Sequence, residues 1–378
     1  MSSKVCIITT VHRPFDTRIF HKEAKTLAKA GYEVTLIAQH DKNEVVNGIK
    51  IIALSRPKNR VSRMIFLGWG AYKLALKQNA DVYHFHDPEF LPWAKRLKNK
   101  TGAKVIYDVH EDYPSAILLK SWIPLLFRYS LSKIFNIYEK KTAKNLDYVI
   151  AAWLKIKENF EKSNIGRIAN ITNYPILKYF SFGNNINEFN KNVHEKKIKL
   201  IYVGGLTKIR GIKQIIQSLK YIKNENIKLI LVGNFQEKAF KKELTELQEW
   251  KKVEYKGWLK QVEAYKEMKN ADVGLLCFLP APNHLHSVPN KLFEYMAAGL
   301  PVVATDFHFL KEIIQQNNCG ICVNPLDLKE IAEAINYLIS HREESMKMGD
   351  NGRNSVKEKY NWENESIKLL DIYQELKV

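Results

Sequence analysis

The sequence predicts an α/β protein made of two doubly wound, parallel-sheet domains. Its 378 residues exceed what one hydrophobic core ordinarily organises, so two domains of similar size are expected. Short β-branched runs alternate with helical periods from end to end, which is the pattern of βαβ units. The alternation breaks once, in SFGNNINEFNKNVHEKK at residues 181–197, an Asn- and Lys-rich stretch that is expected to link the domains.

In the first half the predicted strands are VCIITT, EVTLIA, IKIIAL, VYHFH, KVIYDV and YVIAA. Between the first two, Phe20, Ala24, Leu27 and Ala28 fall on one helical face, and Gly31 is placed to end that helix in the left-handed conformation. Residues 1–180 therefore read as one Rossmann-like domain. After the linker the strands are KLIYVGG, KLILVG, VEYKG, DVGLLC, PVVATD and GICVN, with helices between them, the first from about Gly211. Residues 198–360 form the second such domain, and residues 361–378 a C-terminal helix expected to pack back toward the first. Two domains of this kind facing each other make a cleft, and ligands bind beyond the carboxyl ends of the strands.

Composition removes several classes of function. The hydrophobic fraction of 46% is globular, no run of 18 apolar residues exists, and the N-terminus enters a strand without a signal-peptide pattern. A cytoplasmic location is expected. The net charge of +19 implies an anionic partner, but the aromatic platforms and arginine tracts of a nucleic-acid binder are absent. Four scattered cysteines give no disulfide framework, and the C-x-x-C of Cys319 and Cys322 lacks a second pair, so core packing is its reading. Neither a Walker A loop nor a spaced G-x-G-x-x-G is present.

Four stretches, in order, carry a family resemblance: FDTRIFHKEAKTLAKAGYEVTLI, YVGGLTKIRG, PNKLFEYMAAGLPVVATD and NWENESIKLLDIYQEL. Together they resemble the retaining glycosyltransferases of family 4, of GT-B fold: two facing Rossmann-like domains with an interdomain cleft. The resemblance spans essentially the whole chain. It implies that the domain after the linker holds a nucleotide diphosphosugar and that the first supplies the acceptor side.

Carried over residue by residue, Glu294 matches the second glutamate of the family's E-x7-E motif, a ligand of the ribose hydroxyls. A carboxylate in the first turn of a helix is favoured by the helix dipole by about 0.3 to 1 kcal/mol. The backbone amides of Asn290 and Lys291, at the same helix start, are expected to face the diphosphate. Where the family has its first glutamate, eight residues earlier, this chain has His286, so the donor sugar must be contacted differently. YVGGLTKIRG departs as well: Gly205 and Arg210 stand where the family commonly has Arg and Lys. Arg210 is then the expected diphosphate cation and Lys208 the second one. Gly233 and the stretch Gly257, Trp258, Leu259 match the places that receive the base, Gly233 by allowing close approach to the backbone.

In the first domain His110 stands where the family has a histidine near the donor sugar. The cluster His110, Glu111 and Asp112 ends an apolar strand and costs free energy unless each group is paired or used. Asp16, Arg18, His86, Asp87 and Glu111 are expected on the acceptor side of the cleft. His84 and His86 share a strand face, yet no metal and no cofactor are expected, since GT-B enzymes of this kind do not generally need one.

The resemblance implies sugar transfer with retention from a nucleotide diphosphosugar, a UDP-sugar being favoured. The acceptor is a hydroxyl of a glycan or lipid-linked glycan in surface-polysaccharide synthesis. Arg210 and Lys208 are then expected to stabilise the departing diphosphate. In residues 116–144 apolar and aromatic side chains interleave with Lys120, Arg128, Lys133, Lys140, Lys141 and Lys144, which favours contact with an anionic membrane surface and a peripheral place on its inner face. A nucleotide-sugar 2-epimerase on the same scaffold, or a binder without catalysis, is the alternative.

Overall fold

The structure, a computed structural model, describes residues 2–57, 59, 62–120, 122–180, 197–285 and 288–377. It divides into two compact units: Met1–Asn173 with Trp362–Val378, and Tyr174–Asn361. The boundary falls after Asn173 rather than at residue 180 because the next side chains pack onto the second unit. The Tyr174 ring lies 4.7 Å from Phe293 and 5.4 Å from Tyr360, and Phe180 lies 4.4 Å from Tyr265. Of the linker at 181–197 only Lys197 is among the described residues.

The first unit holds one sheet of eight strands. They are β1 (Lys4–Ile8), β2 (Glu33–Gln39), β3 (Glu44–Val46), β4 (Ile49–Leu54), β5 (Val82–Phe85), β6 (Lys104–Val109), β7 (Tyr148–Ala151) and β8 (Ile168–Asn170), in the order β3-β4-β2-β1-β5-β6-β7-β8. All neighbours are parallel except β3 and β4, which form a hairpin. Its turn is Asn47-Gly48, with φ of 53° and 77°, the tight turn that requires positive φ at both central residues. The central strands are buried on both faces, as a parallel sheet covered by helices requires.

The second unit holds β9 (Ile198–Val203), β10 (Ile227–Val232), β11 (Val253–Gly257), β12 (Val273–Leu276), β13 (Val302–Thr305) and β14 (Gly320–Val323). The order β11-β10-β9-β12-β13-β14 is parallel throughout and reverses direction between β9 and β12. There β9 pairs with β12 only through Leu200 and Ile201, and the strands then part. The freed N–H of Val203 donates to Tyr295 Oη at 2.9 Å, and that hydroxyl donates to Ile201 O at 3.4 Å. Gly274 leaves room for the ring: a Cβ there would stand 2.6 Å from it.

The reversal in the first unit lies between β1 and β5. Beyond it, Asp87 Oδ2 accepts from Thr9 Oγ1 at 2.7 Å, Thr10 N at 2.6 Å and Val11 N at 3.2 Å. The C-terminal helix Trp362–Glu375 closes this unit. Trp362 Nε1 donates to Thr26 Oγ1 at 3.1 Å, Glu365 Oε2 accepts from Thr172 N at 2.7 Å, and Tyr373 Oη lies 3.0 Å from His84 Nδ1.

The helix Leu125–Ala143 is amphipathic in the inverted sense. Its buried positions are Ser132, Glu139, Thr142 and Ala143, while Leu125, Leu126, Phe127, Tyr129, Ile134 and Ile137 are exposed. Glu139 Oε1 accepts from Tyr107 Oη at 2.7 Å. Burial pushes the Glu139 carboxyl up to about 7, against the opposing pull of that hydrogen bond.

Two outcomes follow. Tyr295→Phe strands the Val203 N–H and lowers stability by about 1 to 3 kcal/mol, read from urea denaturation. For Glu139 the folded pKa lies above the unfolded value, so the folded state binds the extra proton and stability falls as pH rises from about 4.5 to about 7. Glu139→Gln therefore removes up to about 3 kcal/mol of that loss, at roughly 1.4 kcal/mol per pKa unit, and denaturation across this pH range measures it.

Candidate active site

The first unit gathers its polar side chains where β1, β5 and β6 end. Arg18 enters from the π-type turns Ile19–Ala24, which follow the loop capped by Asp16: its Oδ1 accepts from Arg18 N at 2.8 Å and Ile19 N at 3.0 Å. The buried Arg18 guanidinium donates to Asp108 Oδ1 and Oδ2 at 3.0 and 2.8 Å and to Ile171 O at 2.8 Å, and its Nε lies 2.7 Å from Glu23 Oε1. His84 Nε2 stands 3.5 Å from Asp108 Oδ2, His86 Nε2 3.4 Å from Glu23 Oε2, and His110 Nε2 3.3 Å from Asp108 Oδ1. His86 Nδ1 closes the set at 3.0 Å from His110 Nε2.

This placement corrects part of the acceptor-side expectation. Arg18, His86 and Asp87 are 3%, 0% and 2% exposed, so they do not line an open surface. Arg18 is held by two buried carboxyl groups, and Asp87 is committed to the backbone after β1. His110, with 14% of its side chain exposed, is the member of the network that reaches out. Beside it are His12, its ring 5.6 Å away, the partly exposed Asp16 and the exposed Glu111.

The charges sort themselves. Burial would raise Asp108, but Arg18 and His110 hold it well below the usual carboxylate range. Burial and the neighbouring Asp108 push Glu23 well above that range. Burial lowers both His84 and His86, which are neutral. It would lower His12 too, yet Asp16, Asp87 and Glu111 outweigh it and raise this histidine. Glu23, His86, Asp108 and His110 each offer one ligand atom within 4.8 Å of the others, a spacing a metal ion could use. Arg18 already contacts both carboxyl groups and is the cation this cluster holds.

In the second unit the side chains of interest surround the parting of β9 and β12. Glu294 is the fifth residue of the helix Asn290–Ala298, a turn further in than expected, so the helix dipole does little for it. What holds it is Lys291 Nζ, which donates to Oε2, and Tyr265 Oη, 3.5 Å from Oε1. Asn290, at the helix start, has a buried Oδ1 with no hydrogen-bond partner. Its N–H and that of Lys291 belong to the first turn, where a helix supplies no acceptors.

Arg210 lies in the short 3-10 turn Lys208–Arg210, its guanidinium 5.4 Å from the Phe278 ring and its Nη1 3.5 Å from Tyr202 Oη. Lys208 is exposed, with Nζ 5.8 Å from the Phe240 ring. Gly205 is half-buried, and its carbonyl accepts from Tyr202 Oη at 3.2 Å. Gly233, expected to leave room for a base, is glycine for an internal reason: φ is +139° and a Cβ would lie 1.8 Å from Gly204 O. Trp258, after β11, is exposed. His286 lies outside the described residues. Cys319 and Cys322 are free thiols that burial pushes up to about 12 and about 11.

Sequence reasoning passed over Glu23, Asp108, Tyr265 and Tyr373. Glu23 lies inside a family stretch and Asp108 inside a predicted strand, but only the fold shows that they face Arg18.

Comparison with known proteins gives this geometry its context. The family model described as Glycosyltransferase Family 4 matches residues 17–172, and the one described as Glycosyl transferases group 1 matches residues 184–355. An uncharacterised glycosyltransferase of Methanocaldococcus jannaschii is 26% identical over 93% of this chain and 92% of its own. The capsular polysaccharide biosynthesis glycosyltransferase CapM of Staphylococcus aureus is 29% identical over 45% of this chain and 46% of its own. The solved structure of Anabaena HepE in complex with UDP-glucose superposes with a TM-score of 0.74 at 14% identity, covering 98% of this chain and 99% of that one. With one family model on each Rossmann-like unit, this chain belongs to the group 1, family 4 glycosyltransferases of GT-B fold.

Proposed function

We propose that the chain transfers a sugar with retention, from a UDP-sugar held by the unit Tyr174–Asn361, to a hydroxyl of a glycan or lipid-linked glycan in cell-surface polysaccharide synthesis. The observation that carries this reading is the arrangement around the parting of β9 and β12. Glu294 is a nearly buried carboxylate with polar partners on both oxygens, suited to ribose hydroxyls, and Arg210 and Lys208 sit on the turn after β9, suited to a diphosphate. The UDP-glucose complex of HepE and the capsular role named for CapM support the donor and the product class. No metal or cofactor is required in this reading: the Arg210 and Lys208 charges and the first-turn amides of Asn290 and Lys291 stabilise the leaving diphosphate.

The same reading places the helix Leu125–Ala143 on an anionic bilayer. No helix among the described residues is long and apolar enough to cross a membrane. This one nevertheless turns Leu125 and Leu126 outward at 77% and 89% exposure, with Phe127, Ile134, Ile137 and the preceding Trp122 also exposed. Exposed Lys120, Lys133, Lys141 and Lys144 accompany them and complement acidic headgroups.

UDP-glucose binding, followed by calorimetry, weakens roughly 10- to 100-fold in Glu294→Ala. Arg210→Ala lowers turnover about 100-fold or more with the circular dichroism unchanged; near-normal turnover rules out its role. An inverted anomeric centre in the product, read by NMR, overturns retention, and a free C2 epimer formed without acceptor makes the chain an isomerase. In flotation with phosphatidylglycerol vesicles the protein rises with the lipid, and Leu126→Asp with Phe127→Asp leaves it at the bottom. Failure to bind either anionic or neutral vesicles ends the membrane reading.

A further inference from the structure

The buried cluster beneath His110 contains two carboxyl groups, Glu23 and Asp108, and one guanidinium, Arg18, all nearly inaccessible to water. With His110 in its neutral form, ionising both carboxyl groups would leave one buried negative charge without a counter-charge, which an interior tolerates poorly. A proton on Glu23 removes it, in keeping with the upward displacement of Glu23 by burial and by Asp108. Asp108 then remains the anion, paired with Arg18 through both oxygens.

This fixes where ring protons go. His86 faces Glu23 Oε2 with Nε2 and His110 with Nδ1, at 3.4 and 3.0 Å. One arrangement points the donors outward: the Glu23 O–H donates to His86 Nε2, and His86 Nδ1–H donates to a bare His110 Nε2. That would leave the His110 lone pair facing the Asp108 anion at 3.3 Å. The reverse arrangement has no such clash. His86 Nε2–H donates to Glu23, whose own O–H donates to Asp108, and His110 Nε2–H donates toward His86 Nδ1 and Asp108 Oδ1. His84, whose Nε2 faces Asp108 and whose Nδ1 meets the Tyr373 hydroxyl, fits the same pattern as an Nε2–H donor.

We propose that Asp108, anchored by Arg18 and by a protonated Glu23, is a positioning residue that locks His110 in its Nε2–H tautomer and leaves Nδ1 as a hydrogen-bond acceptor for a substrate hydroxyl. The choice of a sugar hydroxyl as that partner rests on the transferase reading above; the tautomer does not. His12 and Asp16 face His110 from outside the cluster, and Glu111 follows it in the chain. None of them engages Nε2.

Two-bond proton–nitrogen NMR of protein labelled with 15N-histidine, assigned by the loss of a ring signal in His110→Gln, reads the tautomer directly. The expected pattern at mildly alkaline pH is a protonated Nε2 and a bare Nδ1 on His110. Glu23→Gln, isosteric with the neutral acid, keeps that pattern and the native melting temperature. Asp108→Asn shifts His110 toward a tautomer mixture and, with UDP-glucose and an acceptor, lowers kcat roughly 10- to 100-fold while KM changes less than about 3-fold. An Nδ1–H tautomer in the unaltered protein overturns the proposal, as does unfolding of Glu23→Gln. A stoichiometric divalent metal found by elemental analysis, whose chelation changes the His86 and His110 signals, also overturns it. The spectrum needs no donor, so a chain that ignores UDP-glucose leaves this result standing while failing the transferase reading.

Discussion

A parallel sheet that reverses its strand order must let two neighbouring strands part, and each parting frees backbone N–H groups that were due a partner. Buried donors cannot be left so without a cost of about 1 to 3 kcal/mol each. In the first unit Asp87 meets that demand, taking the N–H of Thr10 and Val11 and the hydroxyl of Thr9. In the second the Tyr295 hydroxyl takes the N–H of Val203. Both acceptors stand next to site residues in the chain. Once Asp87 is fixed, His86 is fixed beside it, and once Tyr295 is fixed, so is Glu294. The candidate site residues are thus placed by the same contacts that close the sheets.

A second constraint shapes the first unit. The π-type turns Ile19–Ala24 bring Arg18, Lys22 and Glu23 inward, where an ordinary amphipathic helix would show only Phe20 and Ala24. Buried charge of this kind is held by partners on every side, and removing one partner typically costs about 3 to 5 kcal/mol because it strands the other. Arg18 answers to β6 through Asp108 and to its own helix through Glu23, so β6, its following His110 and the first helix are tied together. The chain's excess of 19 positive charges plays no part in this; the cluster contains a single guanidinium.

Most strands are legible in the sequence because burial on both faces demands unbroken β-branched runs, and each of the twelve predicted runs forms a strand, the half-exposed edge β11 included. Two strands are not. β8 is a three-residue edge with no pattern to show, whereas β3 was announced by Asn47-Gly48 and went unread beside the longer β4. At the site, Glu294 and Arg210 were visible through family motifs, since backbone geometry ties such residues to fixed places in a turn or helix. Asp108 and Glu23 were not visible, because their meaning lies in contacts between residues far apart in the chain. The same holds for Tyr373 on His84, a contact 289 residues long. Polarity is a misleading guide to exposure here: His86, Asp87 and Arg18 are polar and inside.

The helix Leu125–Ala143 shows that error in the opposite direction. Its interleaved apolar and basic residues do not say which side faces the protein, and a reading from hydropathy alone would turn Leu126 and Phe127 inward. Ser132 and Glu139 set the orientation instead. Ser132 Oγ donates to Pro114 O at 2.7 Å and Glu139 accepts from Tyr107 at the same distance, while Thr142 and Ala143 pack close. A carboxyl raised to about 7 is the cost of that choice, and it weakens the helix's attachment at neutral pH. In water little repays it, since full burial of each outward Leu, Ile or Phe would contribute about 1.5 to 3 kcal/mol and most of that surface stays exposed. On an apolar surface the same side chains gain that energy together, which is why the proposed bilayer contact makes physical sense of an orientation that water alone does not reward.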